Sequence, residues 1–211
     1  MTSAKKLFSG PAPKTLAPRD ALTIARILKV NHAGESGAIR IYRAQIAVAR
    51  WLYPELVEPL SEMLGHEIDH CAKFRQAMPD RQSRPCRAMW LWSTGGSVLG
   101  LCTALMGRQM IWTCTAAVES TVHQHLDDQL HFLADRDPEL HGTIQSIRAE
   151  ELAHLTLAEG HIQGRQSLGP AVRKAIAATT EAVIWLATWG DSTRMARDLA
   201  AIAAAEARHV R

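Results

Sequence analysis

The apolar residues in the first third of the chain recur every three or four positions, which is the spacing of one face of a helix. Between residues 20 and 52 the recurring positions are Ile24, Ile27, Leu28, Ala38, Ile41, Tyr42 and Ile46. The pair Tyr53-Pro54 interrupts this pattern, and proline is acceptable in the first turn of a second helix. That helix continues to Met78 and stops before Pro79. The pattern therefore predicts a helical hairpin.

The same spacing predicts more helices towards the C-terminus. A third long helix passes through Ile111 and ends at Asp135, and Pro138 begins a fourth helix that ends near Gly164. After the next Gly-Pro pair, two further helical segments follow at 172–189 and 192–211. No segment shows the strict alternation of a half-buried strand. The sequence therefore predicts an all-α fold.

One stretch between the second and third helices is unusual, because the 20 residues from Ala88 to Gly107 carry no charge. That length could span a bilayer. Four glycines and several serines and threonines make the stretch less hydrophobic than a typical membrane-spanning helix. Two interpretations remain open, a transmembrane helix and a long connection between two helical hairpins.

Composition narrows the class of protein. With 211 residues, 47% hydrophobic and 21% charged, the chain is typical of one folded domain. The net charge of +3 is too small to predict nucleic acid as a partner. The four cysteines form no CxxC pair, so we expect reduced thiols in a cytosolic compartment. Residues 1–19 are basic and lack an apolar core, which predicts a disordered arm, solvated or against an anionic membrane, before a domain at 20–211.

Acidic and histidine positions repeat along the chain with a constant offset. The first half contains a glutamate that is followed at a distance by a Glu-x-x-His pair, and the second half repeats this pattern with the same gap. The first set is Glu35, Glu67 and His70, and the second set is Glu119, Glu151 and His154. A single E-x-x-H pair usually lies on a solvated helix face. Two pairs with matched partners indicate a shared function instead.

All six residues fall on the apolar faces of their predicted helices, so four carboxylates are expected to point into the core. An ionised carboxylate buried alone costs so much free energy that it takes up a proton or a cation. Two divalent metal ions balance the charge of four carboxylates, and two imidazoles complete the ligands without adding charge. Oxygen-rich ligation with one imidazole per metal favours iron or manganese over zinc.

This ligand set resembles that of the ferritin-like di-iron proteins, in which two helices each supply a glutamate and two others each supply a Glu-x-x-His pair. The resemblance implies a ferritin-like four-helix bundle. Its long crossover would be the uncharged stretch 88–107, and its two extra C-terminal helices would follow the bundle.

A closer resemblance, from about Leu28 to the end, is to the demethoxyubiquinone hydroxylases. It rests on four segments, LKVNHAGESGAIRIYRAQ, GHEIDHCAKF, CTAAVESTVHQHLDDQL and AEELAHLTLAEGH. The phrase NHAGE followed by RIY is far more specific than E-x-x-H. By this resemblance the six repeated residues match the iron ligands of the family. The resemblance implies two iron ions per chain, bridged by either Glu67 and Glu151 or Glu35 and Glu119.

The implied reaction is hydroxylation of 2-polyprenyl-3-methyl-6-methoxy-1,4-benzoquinol, a step of ubiquinone synthesis that uses O2 and an electron donor. The donor is NADH or a reductase, and the resemblance leaves this choice open. It also implies a peripheral protein on the cytoplasmic face of the cell membrane. A second copy of the chain and other ubiquinone-synthesis proteins are further candidate partners, whereas nucleic acid is not.

Four residues near the predicted ligands have open roles. Asp69 and Glu150 either hold the ligands or are ordinary surface charges, and His123 either relays protons or is a core histidine. Some family members have a tyrosine after the equivalent of His125, and that pair is linked to electron transfer. Here the next residue is Leu126, so we do not extend that role to this chain.

Two other functions are disfavoured. Iron storage in a ferritin-like cage would need an acid-rich surface around a mineral cavity, and the uncharged stretch 88–107 does not suit it. A di-iron hydroxylase that acts on tRNA would need a basic surface, whereas the arginines of this chain are scattered.

Overall fold

A computed structural model describes residues 16–162 and 169–209. Every regular element in these ranges is helical, which confirms the all-α prediction. The helices are α1 (Pro18–Leu52), α2 (Val57–Ala77), α3 (Met89–Leu105), α4 (Arg108–Leu133), α5 (Pro138–His161), α6 (Gly169–Ala187) and α7 (Asp191–His209). Single turns of 3-10 helix at Pro54–Leu56 and Pro79–Arg81 flank α2. Residues 1–15, most of the predicted arm, lie outside the described residues.

The helix boundaries follow the local sequence. The helix α1 ends immediately before Tyr53-Pro54, as predicted, although Pro54 begins a 3-10 turn and not α2 itself. Asp137 caps α5 by accepting a 3.0 Å hydrogen bond from the backbone N–H of Leu140, and Pro138 fills the first helical position. Gly107 has a φ of +108°, a conformation that glycine tolerates, and it separates α3 from α4.

The helices α1, α2, α4 and α5 form the four-helix core of a ferritin-like bundle. The hairpins α1–α2 and α4–α5 pack as pairs, and α2 also contacts α5. The uncharged stretch 88–107 forms α3, the crossover between the hairpins, and it lies against α1. Within the described parts of the chain, no helix combines the length and apolar character needed to cross a membrane.

Glycines allow α3 to approach α1 closely. A Cβ atom on Gly100 would lie 2.4 Å from the backbone oxygen of Ile41, and one on Gly96 would lie 2.6 Å from that of Gly37. These contacts are with backbone atoms, which cannot rotate aside. The close α1–α3 contact therefore requires glycine at both positions, because any larger residue would collide with the backbone of α1.

Two apolar clusters fill the bundle. One contains Leu28, Phe74, Leu126, Phe132 and Ile147, and the other contains Tyr42, Ile46, Met63, Trp112 and Ala158. On each of the four core helices the predicted metal ligands fall between residues of the first cluster and residues of the second. The ligand positions are therefore surrounded by apolar packing in the middle of the bundle.

The C-terminal helix α7 is held against α1 by ion pairs. Asp191 lies 2.7 Å from Lys29 and 3.4 Å from Arg26, and Asp198 lies 3.1 Å from Arg26 and 2.8 Å from Arg19. These pairs join the N-terminal half of α1 to α7. Arg19, a residue of the predicted arm, lies in the first turn of α1.

Candidate metal centre

The structure brings all six repeated residues together. Glu35 comes from α1, Glu67 and His70 from α2, Glu119 from α4, and Glu151 and His154 from α5. Each of the six is buried, with at most 4% of its surface exposed. The helical period places both members of each Glu-x-x-His pair on the same inward face.

Their ligand atoms form two overlapping groups, within each of which every atom lies within 4.8 Å of the others. One group is Glu35, Glu67, His70 and Glu151, and the other is Glu67, Glu119, Glu151 and His154. Glu67 and Glu151 belong to both groups. Of the two bridging arrangements that the sequence left open, this geometry favours the one with Glu67 and Glu151 shared between two metals.

Each imidazole directs Nδ1 towards the carboxylates and Nε2 away from them. Nδ1 of His70 lies 3.0 Å from Oε1 of Glu151, and Nε2 lies 2.9 Å from Oε2 of Glu150. Nδ1 of His154 lies 3.5 Å from Oε1 of Glu67, and Nε2 lies 2.9 Å from Nδ1 of His66. Glu150 was named from the sequence, but His66 was missed. The signal was present, because the offset that relates the ligands of the two halves also relates His66 to Glu150.

Burial and mutual repulsion act on the carboxyl groups. Burial, followed by the negative charge of Glu67 and Glu151, raises the pKa of Glu35 well above its ordinary value. Burial, followed by the charge of Glu151, does the same to the pKa of Glu119. Carboxyl groups in this environment favour either a proton or a metal cation. The site is therefore suited to cations that balance several negative charges.

In the second Glu-x-x-His pair the charged forms of both side chains are favoured, because the pKa of the glutamate is lowered and that of the histidine is raised. Burial alone would lower the pKa of His154, but the nearby carboxylates of Glu151 and Glu67, 3.6 and 3.5 Å from its Nδ1, outweigh it and raise that pKa to about 9. Burial alone would raise the pKa of Glu151, but the nearby ring of His154 and a hydrogen bond from His70 hold it well below its ordinary value. The imidazoles therefore partly balance the carboxylates.

Among the described residues, three buried atoms at the centre of the cluster have no hydrogen-bond partner. They are Oε1 of Glu67, Oε2 of Glu151 and Nδ1 of His154. Buried polar atoms are almost always paired, because burial without a partner costs free energy. All three atoms are good metal ligands and point to the same place. The residues therefore fit a pair of oxygen-preferring metal ions.

Tyr42 of α1 holds one candidate ligand, Glu119 of α4, through a hydrogen bond. Its hydroxyl donates a 2.6 Å hydrogen bond to Oε1 of Glu119, and both side chains are buried. The sequence placed Tyr42 on the buried face of α1 but assigned it no role at the site, because its spacing is also that of a core residue.

The carboxylates form the floor of an apolar cavity between α1, α3, α4 and α6. Glu35, Glu119 and Glu151 line one end, and the walls include Trp92, Leu99, Val118, Val122 and Val183. The cavity volume is about 100 Å³. Its apolar walls and the carboxylates at one end suit an apolar molecule whose small polar head lies at the carboxylates.

The other named candidates lie outside the cluster. Asp69 is exposed and pairs with Lys73 at 2.7 Å. His123 is half-buried with Nε2 3.8 Å from Asp127, and Leu126 is buried in the first apolar cluster. His125 is half-buried. The four cysteines all lie in described parts of the chain and form no disulfide.

The chain is similar to known proteins of one family. A family model described as ubiquinone biosynthesis protein COQ7 matches residues 22–187. The chain is 36% identical over 169 residues to a protein of Rhodospirillum rubrum named 3-demethoxyubiquinol 3-hydroxylase, covering 80% of this chain and 79% of that one. It is 37% identical to a Dictyostelium discoideum protein named NADPH-dependent 3-demethoxyubiquinone 3-hydroxylase, covering 78% and 76%. It is 33% identical to a Saccharomyces cerevisiae protein named 5-demethoxyubiquinone hydroxylase, covering 76% of each.

Proposed function

The chain belongs to the COQ7 family of ubiquinone biosynthesis proteins, and from that premise we propose that it is a di-iron monooxygenase that hydroxylates demethoxyubiquinol. The substrate is a 2-polyprenyl-3-methyl-6-methoxy-1,4-benzoquinol. One oxygen atom of O2 enters the ring as a hydroxyl group, and the other leaves as water with two electrons and two protons from a donor. The main support for the proposal is one observation. Each half of the repeat supplies a glutamate and a Glu-x-x-His pair, and the two sets come together beside an apolar cavity.

We assign the two metals to the two overlapping groups of ligands. Glu35 and His70 would hold one metal, Glu119 and His154 would hold the other, and Glu67 and Glu151, which belong to both groups, would serve both. When bound, the iron pair supplies the activation of O2. Four carboxylates and two imidazoles suit iron or manganese. Of the two we propose iron, because the reaction requires a metal that activates O2.

The protein's own groups position the substrate and exclude water. Trp92, Leu99 and Val183 present an apolar surface to the quinol and to the first part of its tail. Gly95 also lines the cavity, and a Cβ atom there would lie 3.9 Å from the side chain of Val183. The hydroxyl of Tyr42 fixes one oxygen of Glu119 and so holds that ligand in a single orientation.

A polyprenyl substrate resides in a membrane, and α3 offers a surface that suits a membrane interface. Its exposed side chains form one stripe of Trp90, Val98, Leu101 and Leu105, and the next residue, Met106, is also exposed. Trp185 and Leu186 of α6 are exposed as well, and Gly95 of α3 approaches Val183 of α6. Both helices line the cavity. We therefore propose peripheral attachment to the cytoplasmic face of the cell membrane through this surface.

Electrons must come from outside the site. The relatives from Dictyostelium discoideum and Mus musculus are both named NADPH-dependent hydroxylases. For this chain we propose a reduced nicotinamide nucleotide, acting directly or through a reductase, as the donor.

The decisive experiment is a single turnover. The protein is loaded anaerobically with Fe(II), mixed with a short-chain demethoxyquinol and exposed to ¹⁸O₂, and the quinol is analysed by mass spectrometry. We expect one labelled oxygen in the product with the wild type and with the control Asp69→Asn, and none with Glu119→Ala. Oxidised iron with unchanged quinol would overturn the substrate assignment, and full activity of Glu119→Ala would overturn the ligand assignment.

Membrane attachment has a separate test. Wild-type protein is expected to float with vesicles of anionic phospholipid in a density gradient. The Val98→Asp and Leu101→Asp double variant is expected to stay at the bottom, because it places two charges in the apolar stripe. The control Glu62→Asp changes an exposed residue of α2 and is expected to float. Flotation of all three proteins alike would contradict the assignment of this surface.

A further inference from the structure

The outward nitrogen of each buried imidazole is held by a residue from the opposite half of the repeat. His70 of the first half is held by Glu150, and His154 of the second half is held by His66, each at 2.9 Å. Both partners occupy the position immediately before the glutamate of a Glu-x-x-His pair. The two contacts are therefore equivalent under the internal repeat, but one partner is a carboxylate and the other is an imidazole.

The hydrogen-bonding roles follow from the direction of each ring. The Nδ1 atoms of His70 and His154 face the carboxylates, and that of His154 lacks a hydrogen-bond partner. If these Nδ1 atoms bind metal through their lone pairs, the proton of each neutral ring is on Nε2. Nε2 of His70 then donates to Glu150, and Nε2 of His154 donates to Nδ1 of His66. His66 must carry its own proton on Nε2.

The surroundings of these contacts keep the rings in place. The rings of His66 and His154 are nearly parallel, with an angle of 7° between their planes and 5.2 Å between their centroids. His66 also lies near the ring of His70, at 6.5 Å between centroids. The side chain of Glu150 is about one-third exposed, at 34%, whereas His70 is fully buried. Each metal-facing imidazole therefore has one partner that can set its orientation.

We infer that His66 and Glu150 are positioning residues, each serving one metal, and that their different chemistry makes the two metals inequivalent. A carboxylate that accepts a hydrogen bond from a ligating histidine makes that histidine a stronger electron donor. A neutral imidazole accepts the same bond with less effect. The metal bound by His70 is therefore held more tightly than the metal bound by His154. This inference rests on the proposed two-metal centre.

The test measures metal binding and not turnover. Metal-free protein is titrated with Co(II) under nitrogen, and binding is followed by the visible absorption of the bound ion. Wild-type protein is expected to bind two Co(II) ions with different affinities. The His66→Ala variant should weaken the weaker site about 10- to 100-fold and leave the tighter one unchanged, which is the usual effect of removing such a partner. The Glu150→Ala variant should weaken only the tighter site.

Conservative variants and controls separate positioning from folding. His66→Gln keeps a neutral oxygen that can accept the bond, so it should restore most of the affinity lost in His66→Ala. Glu150→Gln keeps the bond but not the negative charge, so it should lower the affinity of the tighter site to about that of the weaker one. The control Glu62→Ala removes an exposed residue one turn before His66 and should bind as the wild type does. Unfolding temperatures of the metal-free variants should match one another if the effect is on the ligands.

The double variant His66→Ala, Glu150→Ala decides whether the two residues serve different metals. Weakening of both sites in this variant, with one site weakened in each single variant, supports the inference. Weakening of the same site by both single changes, equal weakening of both sites by either change, or no weakening at all would overturn it. If wild-type protein fails to bind two Co(II) ions, the proposed metal centre itself falls.

Discussion

Replacing Gly100 by alanine should force α3 away from α1. The added Cβ would lie 2.4 Å from the backbone oxygen of Ile41 and 3.0 Å from Cβ of Ala44, whereas ordinary contact begins at 3.4 Å. The backbones must therefore separate by about 1 Å at this point. Overpacking of this kind costs about 1–3 kcal/mol. Alanine also gains about 1 kcal/mol over glycine as a helix former, which partly hides the cost.

A second glycine provides the matched control. A Cβ on Gly142, inside α5, meets no atom within 4 Å, so Gly142→Ala should gain the same helix propensity without a clash. The difference between the two variants therefore isolates the overpacking. We expect Gly100→Ala to be less stable than Gly142→Ala by about 1–3 kcal/mol. For a chain of this size that difference corresponds to about 2–12 °C in Tm.

Thermal unfolding followed by circular dichroism measures both variants under one condition. Urea titration then gives the free energies of unfolding directly. Equal stability of the two variants would refute the inference that α3 needs a glycine to approach α1. Because Gly96 and Leu99 of α3 line the cavity, Gly100→Ala should also weaken the retention of an apolar quinol, seen as a higher KM.

Three further predictions concern the site and the second hairpin. The Tm of metal-free protein should fall as pH rises from about 4.5 to about 9, because folding raises the pKa values of Glu119 and His154. Such groups stabilise the folded protein fully below their unfolded-state pKa values, and this stabilisation is lost as the pH rises through their folded-state pKa values. A rise of Tm in calorimetry over this pH range would contradict the prediction. Tyr42→Phe removes the 2.6 Å bond to Glu119 and should weaken Fe(II) binding about tenfold or more in equilibrium dialysis; unchanged affinity would mean that this bond does not hold the ligand. Asp137→Ala removes both the cap of α5 and the ion pair with Arg81 at 2.6 Å, and should lower the free energy of unfolding by at least about 0.5–2 kcal/mol in urea, whereas the exposed control Asp135→Ala should not.

The candidate ligands could be found from the sequence because the repeat carries them. One constant offset relates Glu35 to Glu119 and His70 to His154, and helical spacing places each on an apolar face. Prolines fixed the starts and ends of several helices for a local reason, since proline lacks a backbone donor and fits only the first turn. The all-α fold followed from these local signals, and the four-helix bundle followed from the resemblance of the repeated ligand set to that of the ferritin-like di-iron proteins.

The tertiary structure decided which residues face one another across helices. The pattern of one helix shows which face is buried, but it does not show which residue of another helix lies opposite. For this reason the sharing of Glu67 and Glu151, the bond from Tyr42 and the contact of His66 with His154 emerged only when the four helices were packed.

The crossover shows the same limit most clearly. Its uncharged residues were consistent with a membrane span or with a connection, because hydropathy measures only the preference for an apolar environment. In the structure this stretch packs against α1 through Gly96 and Gly100 and forms one wall of the cavity. That arrangement depends on the steric fit between two helices, which the sequence of either helix alone does not show.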